Sequence, residues 1–204
     1  MRTSTCAARL WAALTLAFVA AGSMAAGALA FEEDKGEKDR LEACERELCG
    51  ILVKRDAGGD YKCAVQKTWA GSNIKQGVEE KKLSWSMGDA RCTVDVVAKR
   101  QDMLDALTKP AFELKMATHT LKCDIEREKE VVQITVAMAP KFQFKDGKAV
   151  KAWLGIGEIK GPAVVKGAIW TVAQLEDTFG IVHADLLREV NRFVHDRCPK
   201  RAAK

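Results

Sequence analysis

Cysteine content constrains this chain more than any other feature of its sequence. The 204 residues include seven cysteines, and one of them, Cys6, stands apart near the amino terminus. Whether the others are paired depends on the compartment, because disulfides persist in oxidising compartments and are rare in the cytosol. The remaining six are Cys44, Cys49, Cys63, Cys92, Cys123 and Cys198.

Residues 1–30 predict a secretory signal peptide. Arg2 and Arg9 precede an apolar run over residues 10–20, and small residues then lead to Ala28-Leu29-Ala30, an A-x-A cleavage site. Length alone would also allow a membrane anchor. The small-residue second half and the cleavage site favour removal. We therefore expect a periplasmic or secreted protein that begins at Phe31 and keeps no stable membrane anchor.

Loss of Cys6 with this segment leaves an even number of cysteines, which predicts three disulfides. Cys44 and Cys49 lie on one predicted helix, where a five-residue separation places the Cα atoms about 8 Å apart. A disulfide spans roughly 4.4–6.8 Å, so each must bond elsewhere. We expect Cys63 to pair with Cys92, because they lie in neighbouring predicted strands. One helix cysteine then pairs with Cys198 and the other with Cys123.

Metal or redox chemistry has little support in the sequence. There is no C-x-x-C motif, and the three histidines, His119, His183 and His195, are not spaced as zinc ligands on one helix. We predict no metal site and no cofactor.

The hydrophobic periodicity predicts a single α+β domain over residues 31–204. A helix is expected from Glu32 to about Lys54, followed by alternating strands, and helices are expected at 171–179 and 183–196. The predicted fold is a curved antiparallel β-meander with an N-terminal helix and two C-terminal helices packed on one face, cross-linked by disulfides. A parity shift between Ala117 and Thr120 predicts a bulge or a turn there.

The hairpin around Asp146-Gly147 can close in two ways. A two-residue turn sets Phe142 opposite Lys151, whereas a three-residue loop puts Phe142 and Phe144 on one face with Val150 and Ala152. Burial of apolar side chains favours the three-residue loop. On that arrangement Trp153 points from the opposite face of the sheet.

Charge and composition exclude some classes of partner. The chain has 33 basic and 28 acidic residues, for a net charge of +5, and the basic residues are spread along the sequence. This balance does not predict a nucleic-acid partner. With 48% hydrophobic residues, the composition is that of an ordinary globular protein.

Catalytic signatures are absent from the sequence. It contains no G-x-S-x-G, H-E-x-x-H or phosphate-binding loop motif. His119 is a weak candidate for a general base, with Asp124 or Glu113 to orient it. The simpler interpretation is a histidine whose hydrogen bonds are satisfied by backbone or solvent.

Trp153 and Trp69 are weak candidates for a binding surface, since tryptophans near strand ends offer large rigid contacts. Core packing is the simpler interpretation for each. No family resemblance is evident.

The sequence therefore favours an exported (periplasmic) non-catalytic binding or accessory protein of the cell envelope. Its partner would be an unknown protein or an apolar small-molecule ligand. The alternative is a small exported hydrolase or envelope-modifying enzyme that uses His119 and a nearby carboxylate. An apolar cavity beneath the helices would favour a carrier, whereas a cleft that brings His119 near an acid would favour the enzyme.

Overall fold

The computed structural model of the protein describes residues 31, 34–80, 85–127, 130–163, 165–167 and 183–202. These residues form the predicted α+β fold, with all strands antiparallel. The strands divide between two sheets. The signal peptide at 1–30 and the helix predicted at 171–179 lie outside the described residues.

The helices and strands follow one another in this order: α1 Glu37–Lys54, β1 Asp60–Trp69, α2 Gly71–Glu79, β2 Ala90–Lys99, α3 Arg100–Thr108, β3 Ala111–Lys115, β4 His119–Arg127, β5 Glu130–Met138, β6 Lys141–Lys145, β7 Lys148–Trp153, β8 Ile156–Lys160, α4 His183–Arg192 and α5 Cys198–Ala202. A π-helical segment, Phe193–Arg197, joins α4 to α5.

The larger sheet has five strands in the order β1-β2-β4-β5-β8. Alternate residues of its strands are buried, as in β5, where Val132, Ile134 and Val136 face the core. Because successive side chains of a strand point to opposite faces, this period of two places one apolar row inside. The buried row joins Ile125 and Val165 in one cluster.

The smaller sheet has three strands in the order β3-β6-β7. Its inner face carries Phe112, Leu114, Phe142 and Phe144, which cluster with apolar residues of α3 and α4. The predicted parity shift falls where the chain leaves β3 in this sheet and enters β4 in the other. The interruption is therefore a change of sheet.

The predicted three-residue loop in the hairpin between β6 and β7 is wrong. Asp146 and Gly147 form a two-residue turn with φ angles of 49° and 76°, and Lys145 pairs directly with Lys148. This is the positive-φ geometry that Asp-Gly favours in hairpins. The extra residue is inserted in the strand instead.

That extra residue is Val150, which is 45% exposed. Phe144 pairs with Ala149 and Phe142 pairs with Ala152, so the register shifts between the two pairs. A bulge of this kind restores the parity of the inward side chains. It keeps both phenylalanines on the inner face, as predicted, but leaves Val150 outside.

Three disulfides form, and none joins Cys44 to Cys49, as predicted. The bonds are Cys44–Cys63, Cys49–Cys198 and Cys92–Cys123. The expected link between the N-terminal helix and Cys198 is confirmed. Three disulfides indicate an oxidising compartment.

The expected Cys63–Cys92 bond is wrong, and so is the bond from Cys123 to the helix. Cys63 lies opposite Val96 and Cys92 opposite Lys67, four positions further along the β1–β2 pair. Four residues of strand span about 13 Å, too far for a disulfide. Cys123 instead lies directly opposite Cys92 in the β2–β4 pair.

A buried carboxylate fixes the start of α1 against β1. Glu37 is fully buried and accepts hydrogen bonds from Lys67 Nζ at 2.8 Å and from the amide and hydroxyl of Thr68, both at 2.9 Å. Burial by itself raises the pKa of Glu37, but the bonds from Lys67 and Thr68 outweigh it and lower the net pKa.

None of the helices among the described residues is both long and apolar enough to span a membrane.

Candidate functional site

An apolar cavity of about 330 Å³ lies between the helices and the three-stranded sheet. Its walls come from α1, α3, β3, β6, α4 and the π-helical segment. Eleven apolar side chains line it: Leu48, Leu52, Met103, Ala106, Leu107, Leu114, Phe142, Phe144, Val190, Phe193 and Val194. The volume is at the lower end of the range of about 300–1,000 Å³ typical of small-molecule sites.

Two charged residues, Glu189 and Arg197, complete the lining. Arg197 Nη2 donates to Glu189 Oε2 at 2.9 Å, and the Arg197 guanidinium lies 5.5 Å from the centre of the Phe193 ring. Arg197 Nε is buried and has no hydrogen-bond partner within the described residues. The cavity thus has an apolar body and one polar corner, formed by Glu189 and Arg197.

The cavity wall formed by α4 is attached to the edge of the small sheet. Asn191 accepts a hydrogen bond from the amide of Ala149 at 2.8 Å and donates to the Ala149 carbonyl at 2.9 Å. Ala149 lies in the edge strand β7, so the Asn191 amide covers backbone groups that an edge strand leaves unpaired. His195 Nε2 lies 3.0 Å from the Gly147 carbonyl oxygen, beside the same hairpin.

The π-helical segment lies between two fixed points. Asn191 holds the chain to β7 on one side, and the Cys49–Cys198 disulfide holds it to α1 on the other. A π-helix has one more residue per hydrogen-bonded turn than an α-helix. That extra residue lets the chain reach both attachments. Such insertions are rare in proteins as a whole, and those that occur often lie at functional sites. Here the segment contributes Phe193, Val194 and Arg197 to the cavity.

His119 lies outside this cavity, at the start of β4, and is 6% exposed. The Val97 amide donates to His119 Nε2 at 3.0 Å, and the same nitrogen is 3.1 Å from the Val97 carbonyl oxygen. Strands β2 and β4 pair only over Ala90–Thr93 and then separate. The imidazole therefore covers the β2 backbone where its strand partner is lost.

The two carboxylates proposed to orient His119 have other partners. Asp124 accepts a hydrogen bond from Gln133 at 3.2 Å. Glu113 lies in the small sheet, where hydrogen bonds from Lys115 and Gln143 hold its pKa below the usual range. Within the described residues, neither forms a hydrogen bond with His119.

The two predicted tryptophans lie in different sheets. Trp153 ends β7, opposite Lys141, whose Nζ atom lies 4.2 Å from the centre of the indole ring. The register places Trp153 on the face opposite Phe142 and Phe144, as predicted. Trp69 ends β1 and is 41% exposed.

Metal and thiol chemistry find no support in this part of the chain. Among the described residues, no cluster of three or more histidine, cysteine or acidic side chains could hold a metal ion. All six cysteines between residues 44 and 198 are in disulfides.

The sequence signalled part of the cavity. Val190, Phe193 and Val194 belong to the apolar stripe of the helix predicted at 183–196, but such a stripe predicts burial without distinguishing a filled core from a cavity. Asn191 and Arg197 carried no local signal, because their roles depend on residues that are 42 positions away in one case and on a cavity in the other.

Fold and cavity together define a disulfide-linked α+β protein with an apolar cavity. No family model, curated protein or solved structure matches this chain.

Proposed function

We propose that this protein is an exported, non-catalytic binding protein of the cell envelope that holds an apolar small molecule in the cavity. The observation that supports this proposal is the cavity of about 330 Å³ with its eleven apolar side chains and its single polar corner. At the roughly 30 Å³ that a water-sized group occupies in a liquid, it accommodates on the order of ten non-hydrogen atoms.

The polar corner selects among apolar ligands. Arg197 lines the cavity, and its guanidinium group carries N–H donors but no acceptor. A ligand that carries one acceptor group at the end of an apolar body would match this lining. We therefore propose a ligand with an apolar body and a single acceptor head, seated against Arg197.

Export by the signal peptide at 1–30 and residence in the periplasm or outside the cell are part of this proposal. The three disulfides support it, since they need an oxidising compartment. Intact-mass analysis of the exported protein is expected to give a chain that begins at Phe31. A chain that retains residues 1–30 would contradict the cleavage.

Two tryptophan substitutions on α1 test the cavity. Leu52 lines it, whereas its neighbour Val53 is 45% exposed and does not. Leu52→Trp is expected to fill part of the cavity and weaken binding of an apolar fluorescent dye at least about tenfold. Val53→Trp is the matched control and is expected to bind as the parent protein does.

Native mass spectrometry of the protein purified from its own compartment can then identify a natural ligand that remains bound. A bound apolar small molecule that is missing from Leu52→Trp but present in Val53→Trp is the expected result. Equal dye binding by the parent and Leu52→Trp, with both proteins folded, would contradict the proposal.

A further inference from the structure

The outer face of the three-stranded sheet is strongly basic. Strand register places five lysines on it, on the side opposite Phe142 and Phe144, and we call this surface the basic face: Lys115, Lys141, Lys145, Lys148 and Lys151. Glu113 and Gln143 lie among them as a register pair. Asp146 adds one further acid in the turn between β6 and β7.

Two pairs of lysines face each other directly across neighbouring strands. Lys115 is opposite Lys141, and Lys145 is opposite Lys148. Like charges in directly opposite positions destabilise a sheet. Stability of the fold therefore gives no reason for this arrangement, whereas an anionic partner does.

Acidic side chains of the protein neutralise only part of the charge of the basic face. Glu113 reaches two of the lysines, with Oε1 3.0 Å from Lys115 Nζ and Oε2 3.8 Å from Lys141 Nζ. Lys145, Lys148 and Lys151 are exposed, and none of them forms an ion pair within the described residues. Three ammonium groups thus remain available to a partner.

The basic face is a small patch. Three adjacent strands are about 10 Å wide in total, and the five residues of β6 extend about 13 Å from first to last Cα. Several positive charges lie within one Debye length of one another, about 8 Å at physiological salt. Their electrostatic potentials therefore add, and together they attract a broad anionic surface.

Trp153 adds an apolar contact at one end of the basic face. It lies opposite Lys141, which covers its ring at 4.2 Å. Tryptophan is enriched at membrane–water interfaces, where one part of the indole is apolar and another is hydrated. A tryptophan beside exposed lysines is therefore suited to a lipid headgroup layer.

We propose that the basic face docks this protein onto an anionic lipid surface. Juxtaposed lysines are attracted to anionic headgroups, and the register of the three strands places all five on one side of the sheet. The cavity lies on the other side of the same small sheet, so docking would leave the cavity walls free of the lipid. This proposal rests on charge and register and does not depend on the cavity holding a ligand.

Vesicle co-sedimentation tests the proposal, with the purified protein and vesicles of phosphatidylcholine alone or mixed with phosphatidylglycerol. The parent protein is expected to bind the anionic vesicles only, and to dissociate in high salt. In Lys148→Glu/Lys151→Glu, affinity is expected to fall at least about 25-fold, because each lysine near the surface contributes about fivefold.

The matched control is Lys62→Glu/Lys122→Glu. These lysines are exposed on strands β1 and β4 of the large sheet, so the variant changes net charge by the same amount away from the basic face. It is expected to bind within about twofold of the parent. Circular dichroism checks that both variants fold.

Trp153 provides a second measurement. Its emission is expected to shift to shorter wavelength on addition of anionic vesicles, and the shift is expected to be lost in Trp153→Phe. Equal loss of binding by the two lysine double variants would assign the attraction to net charge and overturn the proposal. Failure of the parent protein to bind anionic vesicles, with or without binding to a soluble polyanion such as heparin, would also overturn it.

Discussion

The two sheets of this protein are stabilised in different ways. The five-stranded sheet buries a continuous apolar cluster and contains three of the disulfide cysteines, Cys63, Cys92 and Cys123. The three-stranded sheet has no cysteine. Its inner face is covered by helices, and its edge is joined to α4 through Asn191. The cavity and the basic face both belong to this smaller sheet.

The small sheet is stabilised through the helices packed over it. It has one apolar face, which must be buried against another element, and here helices cover it. Glu37 attaches α1 to β1, Asn191 attaches α4 to β7, and the Cys49–Cys198 disulfide joins α1 to α5. A space remains where the helices do not close onto the sheet. The larger sheet thus holds a buried core and a disulfide between two of its strands, and the smaller sheet carries the cavity wall and the basic face.

Removal of one disulfide at a time tests the difference between the two sheets. It is expected to lower the free energy of unfolding more than any other change considered below. Cys49→Ala/Cys198→Ala opens a link between residues 149 positions apart, worth about 5 kcal/mol in the chain-entropy model. Cys92→Ala/Cys123→Ala opens one of 31 positions, worth about 4 kcal/mol. Urea unfolding measures both.

Dye binding distinguishes the two disulfide variants further. Loss of Cys49–Cys198 frees the π-helical wall and is expected to weaken dye binding, whereas loss of Cys92–Cys123 is expected to leave it unchanged in the folded protein. Equal effects on the dye would contradict this difference between the two sheets.

Acid is expected to weaken the attachment of α1 and not that of α4. The folded-state pKa of Glu37 lies below its ordinary value of 4.5, so its stabilisation is present above that pH and is lost as the pH falls toward the folded-state pKa. At neutral pH, Glu37→Gln is expected to cost about 2 kcal/mol. This cost should shrink below about pH 4.5.

Asn191→Ala is the matched control, because an amide does not titrate. It removes two hydrogen bonds to Ala149, and its cost is expected to be the same at neutral and acid pH. Denaturant unfolding at several pH values compares the two variants. A cost of Glu37→Gln that does not change with pH would contradict the role of its ionised form.

His119→Ala is expected to have the smallest effect and to act on the large sheet alone. It removes the one hydrogen bond that His119 Nε2 forms with the Val97 backbone, which is to the amide or to the carbonyl according to the tautomer, at a cost of about 1–2 kcal/mol. Dye and vesicle binding should not change. A folded His119→Ala protein that loses its biological activity would instead favour the hydrolase hypothesis.

Local pattern predicted much of the architecture. Alternation in β5 and the inward row of β6 gave the correct faces, since a period of two is a property of the strand itself. The spacing of Cys44 and Cys49 excluded a bond between them by helix geometry alone. The even number of cysteines after residue 30 predicted three disulfides.

Predictions that depended on the exact alignment of two paired strands were wrong. Cys63 and Cys92 lie in paired strands, as expected, but the pairing offsets them by four positions. The hairpin turn was wrong because an inserted residue can stand in the loop or in the strand, and parity alone does not distinguish them. Trp153 was placed on the correct face because that inference used parity only.

The sequence by itself determined the compartment to expect, the fold class and the faces of the strands, because these depend on composition and on short-range periodicity. Tertiary structure alone decided the cavity, the disulfide partners and the basic face. Four of the five lysines lie within residues 141–151, but only the register of three strands brings Lys115 beside them and sets the lysines opposite one another. Coulomb energy depends on distance in space, and only the folded backbone sets that distance.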